Sequence, residues 1–305
     1  MTRFVARLLY LLASAFARLP WSWLLRLGDA VAAAWRWRGA REARVAAINL
    51  ELAYPELLPA QRQQWQRAVL RTTGRQILET LRLWTRPHAH NLRLLRETHG
   101  TQLFDAALAS GRGLIVAAPH YGNWELLNQW LASRTPLAIL YRPPESRIGE
   151  AFLNIVRADI GDRVTQVRAE GSAVRQLWKL LNAGGVVGIL PDQQPKAGDG
   201  EFAPFFGVPA LTMTLLSRLA GRTGATVLFA YCERIDTRDG APGFALRIEP
   251  APPEIGDDNL ATATAALNAA VERIARRDPA QYQWTYKRYT LRPPGSGEEN
   301  PYWNR

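Results

Sequence analysis

Residues 113–130 read GLIVAAPHYGNWELLNQW. The run from Gly113 to Ala118 is short, apolar and bounded by turn residues, which predicts a strand. Asn123 is a favoured N-cap and opens an apolar-periodic segment, so a helix is predicted from Asn123 to Ala132. A strand leading through a tight turn into a helix is the opening of an α/β unit. His120, one of only four histidines, lies in that turn, and Glu125 falls in the first turn of the helix.

The same alternation continues along the chain. Strands are predicted at 136–141, 186–190, 226–235 and 244–250. Helices are predicted at 101–110, 148–161, 171–183, 211–224 and 259–277. The pattern predicts an α/β fold with a mixed, largely parallel central sheet flanked by helices. Ligands of such sheets collect beyond the carboxyl ends of the strands. His120 stands two residues past one such end and Asp192 two past another. Residues 1–100 read as helical nearly throughout, with 88–100 as a connector. The divisions expected are 1–38 as membrane-associated N-terminal helices, 39–100 as a helical region packed on the catalytic part, 101–292 as the α/β domain, and 293–305 as a tail.

Composition narrows the function. The chain has 305 residues, is 47% hydrophobic and 21% charged, and is basic by +11; these are values of a folded globular protein. Its single cysteine, Cys232, excludes an internal disulfide and a cysteine zinc cluster. The first 100 residues carry 16 arginines, no lysine and 6 acidic residues, so nearly all the excess charge lies there. Trp21, Trp23, Trp35 and Trp37 are interleaved with it. Indoles settle at headgroup depth and arginines meet lipid phosphates, so this mixture fits an anionic bilayer surface. A solvated basic face over core tryptophans would read the same way. No nucleic-acid motif accompanies the charge. The longest uncharged run, Leu8 to Ala17, is too short to span a bilayer, which needs about 20 residues. A helix lying in the interface is the first reading of the opening stretch 1–37, where Arg3, Arg7, Arg18 and Arg26 could snorkel, and a short spanning anchor the second.

His120 and Glu125 could act as a pair. Gly122 permits unusual dihedrals, so the turn could bring Glu125 back to the ring. A carboxylate on Nδ1 would fix the tautomer and leave Nε2 as a base, suited to deprotonating a substrate hydroxyl. A histidine merely satisfied in a turn, with Glu125 favouring a helix N-terminus, accounts equally for these two residues. The chain has no G-x-S-x-G elbow, and the glycines of GRGLIVA precede the strand, the wrong side for a phosphate loop. His88 and His90 have no further ligand at metal spacing.

Four stretches together resemble the lysophospholipid acyltransferase superfamily, in its late lipid A acyltransferase branch. HYGNWE resembles the H-x4-[D/E] box, and ILYRPPES the Tyr-Arg-Pro motif. GGVVGILPDQQPKAGDGEFAPFFGVPALTMT is similar to the Pro-Asp-Gln and Phe-Phe-Gly run, and PAQYQWTYKRYTLRP to the closing segment. INLELAYPELLPAQRQ also matches, so the likeness covers nearly the whole chain. Departures fall at Pro144-Glu145-Ser146, where relatives more often carry Asn-Pro, and at Ala280, where Glu is usual. Both bear on the acceptor lipid.

The resemblance implies an acyltransferase with His120 as general base and Glu125 as its orienting partner. It implies Asn123, Arg142, Asp192 and Gln193 as substrate-binding residues, and no metal. Arginine is also the residue expected where a phosphate or an oxyanion is held. Lys287 and Arg288 are expected to be solvated or to face a carrier protein. The implied donor is an acyl thioester of acyl carrier protein, or of CoA, whose phosphopantetheine makes a bound cofactor unnecessary. The implied acceptor is an anionic lipid, a lipid A precursor, met at the cytoplasmic face of the inner membrane without any nucleic-acid partner. Another lysophospholipid or glycolipid acceptor is a second reading, and a non-catalytic membrane-surface protein a third.

Overall fold

The computed structural model describes residues 2–141, 146–158, 163–168, 173–237 and 242–303. Arg142, Pro144 and Glu145 therefore lie outside the described residues. The chain opens with helices α1 (Thr2–Phe16), α2 (Trp21–Trp37), α3 (Arg41–Ala53), α4 (Pro59–Thr85) and the single turn α5 (His88–Asn91). Pro20 caps α2 and Pro59 starts α4, positions where a missing N–H costs no helical hydrogen bond. Strand β1 (Leu95–His99), α6 (Thr101–Ala109), β2 (Leu114–Ala117), α7 (Trp124–Arg134), β3 (Leu137–Tyr141), α8 (Arg147–Ala158), β4 (Val164–Arg168), α9 (Ala173–Asn182) and β5 (Val186–Ile189) follow. The hairpin β6 (Gly200–Phe205) and β7 (Val208–Met213) comes next, then α10 (Leu215–Thr223), β8 (Thr226–Ile235), β9 (Gly243–Pro250) and α11 (Leu260–Ala275).

Seven strands form one sheet in the order β1-β9-β8-β2-β5-β3-β4. Only the β8–β9 pairing is antiparallel, so the sheet is mixed and largely parallel, as expected. The central strands β2 and β5 are buried throughout. Ile115 and Ala117 point into a core shared with α3, α4, α9, α10 and α11, while Leu114 and Val116 point into a second core with α6 and α7. That split is the period-2 alternation of a strand covered on both faces.

Two local expectations are corrected, and one strand was not anticipated. The 88–100 connector contains β1, which pairs with β9 at the sheet edge. Residues 164–168 form β4, an edge strand beside β3. The helix predicted from Leu211 begins only at Leu215, because 208–213 are the second strand of a hairpin. Its two-residue turn has positive φ at both Phe206 (52°) and Gly207 (73°), the combination that matches the twist of the flanking strands. Phenylalanine is costly there. Its ring is held by Phe205, Tyr54 and Trp284, and its N–H donates to Glu272 Oε2 at 2.6 Å.

In the N-terminal region, α2 crosses α4 at two glycines; a Cβ on Gly74 would lie 2.4 Å from the Gly28 carbonyl. Arg75 clasps Asp29 beside this crossing at 2.6 and 2.8 Å. α1 lies on α8 and α4, burying Ala6 and Ala17 and leaving Phe4, Leu8, Leu11 and Leu12 exposed on its outer side. Trp23 and Trp37 are also exposed, whereas Trp35 packs against the core. Among the described residues no single helix is long and apolar enough to cross a membrane; α1 and α2 pass that test only as a pair bent by 113°.

Candidate active site

The parallel register of β2 with β5 builds the site. Ala117 is opposite Ile189, so the residues three steps beyond each, His120 and Asp192, leave the carboxyl edge side by side. His120 Nδ1 lies 2.7 Å from Asp192 Oδ1, and the His120 backbone N–H donates to Asp192 Oδ2 at 2.9 Å. Both side chains are nearly buried. Burial alone would raise the Asp192 carboxyl, but the charge of the imidazole and the hydrogen bonds from His120 outweigh it and hold the group below its ordinary range. An ionised carboxylate accepts only. Nδ1 therefore carries the hydrogen of this contact, which in a neutral ring leaves the lone pair on Nε2.

Asp192 thus contacts Nδ1, the nitrogen at which Glu125 was expected. Asn123 does cap α7, its Oδ1 accepting from Leu126 N at 3.0 Å, with Glu125 in the first turn. Glu125 is nearly buried there, on the helix side of the turn. The position beside Nδ1 belongs to the adjacent strand.

Gly122 makes the turn possible. Its φ is +63°, and a Cβ would sit 2.0 Å from the Cys232 carbonyl on β8, so no side chain fits. The turn is then stitched on both sides. Asn123 N donates to Cys232 O at 2.8 Å and Gly122 N to Gln281 O at 3.1 Å, while Gln283 N donates to His120 O at 3.0 Å. Trp124 sets its ring against the imidazole, with centroids 5.0 Å apart.

Gln193 and Gln283 complete the mouth of the site. Gln193 Nε2 is 3.1 Å from His120 Nε2 and donates to Gln283 Oε1 at 3.3 Å. Tyr282 is buried beneath them. Burial first, then the charge of Asp192 and a hydrogen bond to it, push its hydroxyl well above the ordinary range, so it stays protonated as a donor.

Several contributors were not legible as site residues. Glu79 of α4, fully buried, takes two hydrogen bonds from Arg234 at 2.6 and 2.8 Å and one from Asn123 Nδ2 at 3.4 Å. A glutamate on the apolar stripe of a helix was the available signal. Arg288 is corrected: it is 3% exposed rather than solvated, and it donates to Leu211 O at 2.5 Å and Thr212 Oγ1 at 2.8 Å. Lys287 is half-buried over the Tyr302 ring. Arg288 lines, with Asp192, Gln193, Tyr282 and Gln283, a cavity of about 10 Å³, the room of about one water. Among the described residues no cluster of three or more His, Cys, Asp or Glu side chains could hold a metal.

A buried carboxylate–imidazole pair without an attached nucleophile can take a proton from a bound hydroxyl and return it to a leaving group. The chain is also similar to known acyltransferases. The chain is 27% identical over 284 residues to the lipid A biosynthesis palmitoleoyltransferase of Escherichia coli, covering 92% of this chain and 89% of that protein. It is 26% identical over 257 residues to the lipid A biosynthesis lauroyltransferase of the same organism, covering 84% and 81%. A phosphatidylinositol mannoside acyltransferase of Mycobacterium tuberculosis matches at 31% over 169 residues, 54% of this chain and 53% of that one. The model of the bacterial lipid A biosynthesis acyltransferase family matches residues 2–290. The protein is an acyltransferase and belongs to the bacterial lipid A biosynthesis acyltransferase family.

Proposed function

We propose that the protein moves a fatty acyl chain from an acyl carrier protein thioester to a hydroxyl of a lipid A precursor at the cytoplasmic face of the inner membrane. The observation that carries this reading is the 2.7 Å contact between His120 Nδ1 and Asp192, in a chain of this family. The acceptor hydroxyl gives its proton to His120 Nε2 as its oxygen attacks the thioester carbonyl carbon. The C–S bond breaks, and the imidazolium returns the proton to the departing thiolate. No acyl-enzyme forms, since the base acts on the substrate's own hydroxyl. Arg142 is expected to hold the acceptor's phosphate or the oxyanion. The donor's phosphopantetheine arm enters with the substrate, so no resident cofactor is required. The exposed apolar side of α1 with Arg3, Arg7 and Arg18 supports membrane docking.

The test is incubation of the purified full chain with acyl carrier protein thioester and a lipid A precursor, read by mass spectrometry. His120→Ala should lower turnover by about 10²–10⁴-fold with the melting midpoint retained; undiminished transfer would reject the base. The half-chain match to a phosphatidylinositol mannoside acyltransferase favours a second reading, with another glycolipid as acceptor. Parallel assays with that lipid class and with acyl-CoA distinguish the two.

A further inference from the structure

We infer that Gln193 masks the catalytic base from water, and so sets the partition between acyl transfer and hydrolysis of the thioester. The inference rests on the functional reading above and adds a role for a residue that reading leaves only as a substrate contact. The geometry fixes the amide's direction. Because Nδ1 gives its hydrogen to Asp192, Nε2 of the neutral ring presents a lone pair, and its neighbour at 3.1 Å must donate. The second hydrogen of the same amide points to Gln283 Oε1 at 3.3 Å. Gln283 is itself tied to the His120 carbonyl through its backbone N–H at 3.0 Å. The next residue, Gln194, is fixed by Tyr286 and by Leu291 N, which donates to its Oε1 at 2.9 Å.

The lone pair that must accept the substrate proton is therefore taken by the Gln193 amide. A solvent water has to displace the amide unaided. A lipid hydroxyl displaces it with the binding energy of the whole lipid behind it. Removing the mask leaves water free to give a proton to Nε2 while its oxygen attacks the thioester carbonyl carbon. The C–S bond then breaks and the thiolate takes the proton from the imidazolium, yielding free fatty acid and thiol. Excluding that side reaction is a recognised task of an active site.

The experiment counts free fatty acid and acylated lipid from acyl carrier protein thioester, with and without lipid A precursor. It compares the full-length protein with Gln193→Met, which keeps the volume and removes the donor, and with Gln283→Met, which removes the acceptor that steadies the amide. The expected result is a rise in the hydrolysis-to-transfer ratio of about 2–10-fold in Gln193→Met, the worth of one neutral hydrogen bond, and a smaller rise in Gln283→Met. An unchanged ratio in folded Gln193→Met overturns the inference. So does an equal fall of both products, the signature of a residue that only props the ring. If Gln193→Met does not fold, an unchanged ratio in Gln283→Met overturns it. A wild-type protein that yields neither product rejects the functional reading instead.

Discussion

At the scale of single residues, the decisive contact is a carboxylate on the ring nitrogen opposite the base. Asp192 accepts from both the ring and the backbone of His120, so it sets tautomer and position together. Asp192→Asn would present an amide hydrogen or an uncharged oxygen to Nδ1, losing the charge that stabilises the imidazolium. Turnover should fall by about 10²–10⁴-fold, checked by steady-state kinetics beside a thermal melt.

At the scale of elements, the turn between β2 and α7 is held from three directions: β8, the 281–284 segment and α4. Gly122→Ala would force a Cβ into the Cys232 carbonyl at a φ unfavourable for any side chain. A loss of stability of at least about 2 kcal/mol is expected, measured by denaturant unfolding, with activity lost in whatever remains folded. Glu79→Ala tests the α4 anchor. It leaves the partly buried Arg234 without its bidentate partner, and breaking a buried pair costs up to about 3–5 kcal/mol. The same substitution frees the Asn123 amide, so residual activity should drop further than the melting midpoint alone explains.

At the scale of the whole molecule, charge and apolar surface are segregated. The outer side of α1 presents Leu8 and Leu12 beside Arg3 and Arg7. Replacing both leucines with glutamate should weaken binding to anionic vesicles by at least about tenfold in a sedimentation assay, given about 1.5–3 kcal/mol per buried leucine. On β8, Glu233 gathers Tyr121, Arg247 and Arg277. Burial would raise its carboxyl, but the hydrogen bonds from Arg277, Tyr121 and Arg247 bring it from 4.5 to about 2. A depressed folded value contributes stability above the ordinary value, lost as pH falls from about 4.5 toward about 2. Glu233→Gln should flatten the pH dependence of unfolding in that window.

The sequence by itself determined the α/β alternation, the strand leading to His120, the Asn123 cap and the backbone freedom available at Gly122. These are local: periodicity, capping and backbone freedom act over a few neighbouring residues. It also marked His120, Asp192 and Gln193 as residues at strand ends. Only the tertiary structure decided who partners whom. Asp192 is seventy-two residues from His120, yet it reaches the ring because β2 and β5 lie side by side in register. The burial of Arg288 and the reach of Glu79 to the Asn123 turn come from the same cause. Sheet order and helix docking bring together groups far apart along the chain, and no local pattern encodes that adjacency.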